Sequence, residues 1–292
     1  MLIDAGELAQ LLDAAAGQVV LLDVRWALGR TDGADRYRAG HLPGAVHVDL
    51  DHELAGPPSP EQGRHPLPDL ARLQAAARRW GIDRASRVVA YDDVAGTTAA
   101  RAWWLLRWAG LAQVQLLDGG LAAWTAAGLP LATGDVTPAA GEVVLSSGHL
   151  PVVDADEVAA AVIEDSQEYG RYGGGGPEVL MLDARAGERY RGEHEPVDRV
   201  AGHIPGAISA PTTANLAADG RFRSPEELRQ RFTDLGVGDD HLVVSYCGSG
   251  VSAAHQVAAL AVAGFDRVAL YPGSWSQWCR DPRRPVAVGE HP

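Results

Sequence analysis

The chain has 292 residues, 46% of them hydrophobic and 22% charged, which is typical of a folded protein of two ordinary domains and excludes a disordered chain. Its formal net charge of −13 argues against nucleic acid and anionic membranes as partners, and no apolar run approaches the roughly 20 residues of a membrane-spanning helix. Two cysteines give no disulfide framework and the N-terminus shows no signal peptide, so we expect a cytoplasmic protein.

Strands and helices alternate along the first half of the chain. Short β-branched runs predict strands near 19–23, 88–92 and 114–117. Amphipathic or Ala- and Leu-rich runs predict helices near 5–15, 69–80, 97–109 and 121–127. Alternation of this kind predicts an α/β fold, with a mostly parallel sheet flanked by helices.

The second half of the chain follows the same order. Strands are predicted near 179–183, 242–246 and 268–271. Helices are predicted near 156–165, 225–235, 252–263 and 274–279. The segments 44–48 and 206–208 are each compatible with one further short strand.

Sequence motifs recur between the two halves as well. They are Asp-x-Arg at 23–25 and 183–185, Gly-His-x-Pro-Gly-Ala at 40–45 and 202–207, and the strand ends at Tyr91 and Tyr246. A repeat in conserved order indicates a duplicated domain. We therefore predict an N-terminal domain over 1–132, a linker over 133–150, and a C-terminal domain over 151–292. A Gly-rich insertion at 169–177 is predicted to be a surface loop.

The strongest chemical signal follows the strand predicted over 242–246. Cys247 lies between that strand and a helix, at the carboxyl edge of a parallel sheet where ligands bind. Gly248 and Gly250 allow the loop amides to point into one concavity, which favours an anion. We expect the thiol there to ionise readily, and a persulfide or oxyanion to be stabilised by the same donors. A buried structural cysteine beside a tight turn is the alternative.

These motifs together resemble the tandem rhodanese-type sulfurtransferases over nearly the whole chain. The resemblance implies two rhodanese-like domains, of which only the C-terminal one carries a catalytic cysteine. Asp92 takes that place in the first half, and a carboxylate is a poor nucleophile toward sulfur, so this domain is expected to be inactive. The loop sequence Cys-Gly-Ser-Gly-Val-Ser at 247–252 is similar to that of the 3-mercaptopyruvate sulfurtransferase branch, with Ser252 in place of threonine.

The resemblance also assigns roles to individual residues. The loop residues expected to bind the donor are Gly248, Gly250, Val251 and Ser252. Arg189 and Arg199 are expected to hold the carboxylate of a keto acid, because guanidinium groups bind carboxylates in a bidentate manner. Arg199 lies one position later than the family pattern.

A proton relay is the second assignment that the resemblance makes. It assigns Ser249, His65 and Asp51 to this relay, with His65 as the group that changes charge near neutral pH. The other histidines are interpreted differently. His41 and His203 belong to the repeated turn and are interpreted as structural.

The predicted activity is a two-step sulfur transfer. Cys247 attacks the sulfur of 3-mercaptopyruvate and becomes a persulfide, pyruvate leaves, and an acceptor takes the sulfur. The acceptor is expected to be a thiol, thioredoxin, glutathione or cyanide. No cofactor and no metal are expected, and a monomer is the simplest expectation.

Three alternatives to this activity exist. Thiosulfate as the main donor is the first. A phosphatase on the same fold is the second, and it needs an arginine that closes the loop, where Ala253 and Ala254 stand. The third is a non-catalytic binding module, in which the cysteine would be lost. Cys279 is interpreted as a packed residue rather than a resolving thiol.

Overall fold

The computed structural model describes residues 1–14, 18–165 and 178–292, so the Gly-rich insertion at 169–177 lies outside the described residues. The chain divides into two compact units. Unit 1 comprises Met1–Gly56, Leu67–Leu150 and Leu216–Phe222, and unit 2 comprises Pro57–Pro66, Pro151–Asn215 and Arg223–Pro292. Each half of the repeat therefore supplies most of one unit and a short segment of the other.

Unit 1 contains a sheet of five parallel strands in the order β1-β5-β4-β2-β3. Its strands are β1 (Leu2–Ile3), β2 (Val19–Asp23), β3 (Val46–His47), β4 (Arg87–Tyr91) and β5 (Val114–Leu117). Its helices are α1 (Ala5–Ala14), α2 (Gly33–Ala39), α3 (Leu50–Glu53), α4 (Leu70–Arg79), α5 (Ala99–Trp108) and α6 (Gly120–Ala126).

Unit 2 contains a sheet of four parallel strands in the order β7-β6-β8-β9. Its strands are β6 (Val179–Asp183), β7 (Ile208–Ser209), β8 (Leu242–Tyr246) and β9 (Val268–Leu270). Its helices are α7 (Ala155–Asp165), α8 (Gly187–Tyr190), a 3₁₀ turn (Thr212–Asn215), α9 (Pro225–Asp234), α10 (Ser252–Val262) and α11 (Ser274–Trp278). The predicted α/β class, with one parallel sheet in each repeat, is confirmed.

The central strands are apolar because they lie in the interior of a parallel sheet. Strand β8 pairs with β6 on one side and β9 on the other, and Val243 through Tyr246 are buried. Val244 and Tyr246 belong to a core cluster that includes Trp275 and Trp278 of α11. This packing fixes the end of β8, where the cysteine follows.

The repeated polar motifs make buried hydrogen bonds and ring contacts at the strand ends of each sheet. Arg185 donates to both carboxylate oxygens of Asp183 and, at 2.7 Å, to the carbonyl of Gly202, which joins the two motifs of unit 2. His203 stacks on Tyr190 with ring centroids 3.7 Å apart, and its Nδ1 lies 2.8 Å from the Tyr190 carbonyl. His41 stacks on Tyr37 in the same way in unit 1. The motif histidines therefore have structural contacts in both repeats.

The segment predicted as a linker, 133–150, is hydrogen-bonded along unit 1. The backbone N–H groups of Gly141, Val143 and Ser146 donate to carbonyls of Arg78, Ile82 and Ala109, at 2.8, 3.2 and 3.1 Å. The segment is thus part of unit 1 rather than a free connection. Among the helices of the described residues, none has the length and apolar character to cross a membrane.

Candidate active site

Cys247 follows β8 directly and is almost fully buried, with 2% of the residue exposed. Its backbone N–H donates to Ser274 Oγ at 3.1 Å, and its carbonyl accepts from the N–H of Trp275 at 3.0 Å. The first turn of α11 therefore holds both ends of the Cys247 peptide. The nucleophile candidate sits on a rigid frame, as precise chemistry requires.

Gly250 directs a backbone amide at the sulfur. Its N–H lies 3.1 Å from the Cys247 Sγ, within hydrogen-bonding range for sulfur. Gly250 has φ +76°, and a Cβ at this position would lie 2.5 Å from the carbonyl oxygen of Pro272. Only glycine fits this turn without strain, so the sequence supplies the one residue that lets the amide face the sulfur.

His65 and Ser249, two members of the predicted relay, are in contact within unit 2. His65 Nδ1 lies 2.7 Å from Ser249 Oγ, and both residues are buried. Asp51, the third member, belongs to unit 1. There the Trp26 indole N–H donates to its two carboxylate oxygens at 3.0 and 3.1 Å.

Two arginines lie against Gly248. A Cβ built on Gly248 would lie 3.0 Å from Nη2 of Arg64 and 3.4 Å from Nη1 of Arg189. Arg64 Nη2 also donates to the Gly248 carbonyl at 3.1 Å. Arg189 is one of the two arginines that the resemblance assigns to the carboxylate of the donor. Arg64 is not assigned by it, and its place directly before His65 is the one sequence signal that points to it.

Within the described part of the chain, Arg199, the other arginine assigned to the carboxylate of the donor, does not bond to the cysteine loop. It is exposed, and among the described residues no hydrogen bond or ion pair joins it to the 247–252 loop. Its neighbour Asp198 occupies the position beside the two arginines, forming an ion pair with Arg64 and lying 3.6 Å from Nη2 of Arg189. In this segment Asp198, and not Arg199, is the residue that lies beside Arg64 and Arg189.

Glu195 fixes the orientation of Arg189. The Arg189 Nε and Nη2 atoms donate to the two oxygens of Glu195, at 3.1 and 2.7 Å. Burial raises the pKa of the Glu195 carboxyl. The hydrogen bonds from Arg189 and from the backbone N–H groups of Asp198 and Val197 outweigh that effect and leave the pKa below its usual value. Glu195 therefore stays ionised and keeps Arg189 in place.

The rhodanese-like domain model matches this sequence twice, over residues 4–127 and 169–281. The chain belongs to the rhodanese-like domain family. The two matched regions correspond to the two halves of the repeat.

Rhodanese-family relatives resemble the chain over nearly its full length. "Putative thiosulfate sulfurtransferase SseB" of Mycobacterium tuberculosis is 48% identical over 289 residues, which are 99% of this chain and 97% of the relative. "Probable 3-mercaptopyruvate sulfurtransferase" of Pseudomonas aeruginosa is 48% identical over 277 residues, 93% of each chain. The crystal structure of SseA, a 3-mercaptopyruvate sulfurtransferase of Escherichia coli, matches with a TM-score of 0.79 at 33% identity. That match covers 94% of this chain and 98% of SseA.

In the N-terminal rhodanese-like domain, Asp92 stands in the place of the cysteine and accepts hydrogen bonds from the loop that follows it. One carboxylate oxygen of Asp92 accepts the N–H groups of Val94 and Gly96, at 2.9 and 2.8 Å. The other accepts the N–H and hydroxyl of Thr98 and the N–H of Ala99, each at 2.8 Å. Asp92 is fully buried. The loop amides of this domain therefore donate to a side chain of the chain itself.

Cys279, the other thiol of this rhodanese chain, lies in a different environment. It follows α11 and packs beside the core cluster of unit 2. Burial, together with the nearby charge of Asp198, raises the pKa of its thiol to about 11. It is therefore almost entirely protonated at neutral pH and a weak nucleophile.

Proposed function

We propose that this rhodanese-family sulfurtransferase takes sulfane sulfur from 3-mercaptopyruvate, carries it as a persulfide on Cys247 and releases pyruvate. The observation that carries the choice of donor is the 2.7 Å contact between His65 Nδ1 and Ser249 Oγ. Reaction with 3-mercaptopyruvate requires movement of a proton, whereas reaction with thiosulfate does not. A buried imidazole–hydroxyl pair next to the nucleophile is suited to the first reaction.

The first step forms one bond and breaks one. The Cys247 thiolate attacks the sulfur of the donor, the carbon–sulfur bond breaks, and its electron pair goes to carbon as the enolate of pyruvate. The proton that the donor carried on sulfur is transferred to that carbon, which gives pyruvate and a Cys247 persulfide. The Gly250 amide, at 3.1 Å from Sγ, and the N-terminus of α10 stabilise the negative charge on sulfur.

The proton passes through Ser249 and His65 in this proposal. Ser249 is part of the loop and its hydroxyl contacts His65, so the pair can accept the proton from sulfur and return it to carbon. The family resemblance assigns Asp51 to the relay as well, and Asp51 remains part of the proposal on that ground alone.

A carboxylate clamp outside the loop is the second part of the proposal. The side chains of Gly248, Ser249, Gly250, Val251 and Ser252 carry no charge, so cations that hold the donor must come from other segments. Arg189 lies against Gly248 and is oriented by Glu195, which supports its role as the primary clamp. Arg199 remains a candidate from the resemblance, and its exposure makes it the weaker one.

The second step returns the enzyme to its starting state. We propose that a thiolate acceptor, from a small thiol such as glutathione or from a dithiol protein such as thioredoxin, takes the outer sulfur and leaves the Cys247 thiolate; cyanide is the simple acceptor for assays. A nucleophilic cysteine of this kind works as a reduced thiol. We therefore also propose that the protein acts in a reducing compartment, the cytoplasm.

Thiosulfate is the second candidate donor, and one observation favours it. A relative with 48% identity bears the name of a thiosulfate sulfurtransferase. Thiosulfate would transfer its outer sulfur to Cys247 and leave as sulfite, with no proton to move.

Donor competition tests the proposal. The kcat/KM values of purified enzyme for 3-mercaptopyruvate and thiosulfate are to be compared with cyanide as the common acceptor. In a two-step scheme the kcat/KM of the donor reports only the first half-reaction. We expect 3-mercaptopyruvate to be preferred, and a preference for thiosulfate would overturn the donor assignment.

A further inference from the structure

A buried carboxylate lies between the two arginines of the site. Asp198 is 2% exposed at its side chain and forms an ion pair with Arg64 through Oδ1. Its Oδ2 lies 3.6 Å from Nη2 of Arg189 and, among the described residues, has no hydrogen-bond partner. A buried carboxylate oxygen without a hydrogen bond costs stability, so we looked for a functional role of Asp198 that offsets this cost.

The charges around Gly248 balance. Arg64 and Arg189 are paired with Asp198 and Glu195. Arg185, which lies 3.5 Å from Glu195, is itself paired with Asp183. The cluster therefore presents guanidinium groups beside Gly248 with no excess of positive charge over negative.

We propose that Asp198 is a specificity-determining residue that makes the site select a singly charged donor over a doubly charged one. The inference rests on the proposed sulfurtransferase function and deepens it. A keto acid presents one carboxylate, which can share the guanidinium groups with Asp198. A dianion such as thiosulfate presents a second negative charge, which meets Asp198 and the Cys247 thiolate without a compensating cation.

A purely structural role for Asp198 would have a different effect on the two donors than a role in donor selection. If Asp198 only held Arg64 in position, its loss would displace Arg64 and lower kcat/KM for both donors equally. If it sets the charge of the site, its loss would change the ratio of the two donors. The donor ratio therefore separates the two roles, because a uniform loss of activity cancels in it.

The first test replaces the charge and keeps the shape. Asp198→Asn is expected to raise the ratio of kcat/KM for thiosulfate to kcat/KM for 3-mercaptopyruvate by about tenfold or more, since one negative charge is removed from a buried cluster. Asp198→Glu keeps the charge and is expected to leave the ratio within about threefold of wild type, even if both rates fall. Glu193→Gln is the matched control, because Glu193 is an exposed acid of the same segment paired with Arg191.

A second variant changes the charge of the same cluster in the opposite sense. Arg64→Gln removes one positive charge, and the donor ratio is expected to shift in the opposite direction, against thiosulfate. It keeps the proposal testable if Asp198→Asn does not fold, which circular dichroism and thermal unfolding will show.

The outcomes separate the inference from the function on which it rests. An unchanged donor ratio in a folded Asp198→Asn or in Arg64→Gln overturns the role of Asp198, whatever the wild type prefers. A wild type that does not use 3-mercaptopyruvate overturns the donor assignment instead, and the shift of the ratio in the variants is measured independently of that preference.

Discussion

The backbone N–H of Gly250 lies 3.1 Å from the sulfur of Cys247, and in the first repeat the backbone N–H of Gly96 lies 2.8 Å from a carboxylate oxygen of Asp92. In each repeat a loop amide thus donates to the side chain that directly follows a central strand, Cys247 in one copy and Asp92 in the other. We expect the loop amides near Cys247 to stabilise negative charge on the proposed persulfide, because backbone N–H groups that point at one atom favour an anion there.

Replacement of Cys247 by serine is expected to abolish sulfur transfer with little change in stability, since the two side chains are similar in size. Wild-type enzyme incubated with donor and no acceptor is expected to gain the mass of one sulfur atom, which cyanide removes. Mass spectrometry of the intact protein checks this, and Cys279→Ser serves as the control that keeps the added sulfur. A label that maps to Cys279 contradicts the assignment of the nucleophile.

Arg189 and Arg199 form a natural pair of variants. Arg189→Ala is expected to lower kcat/KM for 3-mercaptopyruvate by about a hundredfold, because a bidentate contact with a carboxylate is lost. Arg199→Ala is expected to have an effect of less than about threefold, since Arg199 is exposed. Steady-state kinetics on both variants checks the prediction. A larger loss of kcat/KM in Arg199→Ala would show that Arg199 also binds the carboxylate of the donor.

Replacement of His65 by alanine is expected to slow the 3-mercaptopyruvate reaction about tenfold to a hundredfold more than the thiosulfate reaction. The imidazole contacts Ser249, and only the keto-acid donor needs a proton moved to carbon. Initial rates with both donors provide the measurement. Equal losses would indicate that His65 only supports the loop.

The reactivity of Cys279 is expected to depend steeply on pH. The pKa of about 11 at Cys279 leaves about one thiol in a thousand ionised at pH 8, and this fraction rises with pH. Iodoacetamide is therefore expected to modify Cys279 of the native protein slowly at pH 8 and much faster near pH 11. Peptide mapping after timed alkylation measures both rates, with denatured protein as the control. A rate at pH 8 equal to that of the denatured protein would contradict the prediction.

Asp92 is expected to contribute to the stability of the N-terminal domain. Asp92→Ala removes the acceptor of five hydrogen bonds and leaves buried amides unsatisfied, at a cost of about 3–5 kcal/mol. Asp92→Asn keeps one acceptor oxygen and is expected to cost less. Urea unfolding measures both, and a change in Asp92→Ala below about 1 kcal/mol would contradict the prediction.

The amino-acid sequence was most informative where the signal was local or repeated. The predicted strands at 19–23, 179–183 and 242–246 match β2, β6 and β8 residue for residue, because buried parallel strands are continuous apolar runs. Helices α2, α3 and α8, of seven, four and four residues, were not predicted, whereas α6 and α11 are as short and were. The bond from Arg64 to the Gly248 carbonyl joins residues 184 positions apart, and no local pattern encodes such a contact.

The exchange of short segments between the two halves limits how the protein can be divided. Residues 57–66 precede most of the C-terminal half in the chain, yet they belong to the same compact unit as Cys247 and bring Arg64 and His65 with them. A fragment that starts at residue 151 retains the nucleophile and lacks both of these side chains. Because each repeat supplies a segment of the other unit, we expect a single cut between the two repeats to leave both units incomplete.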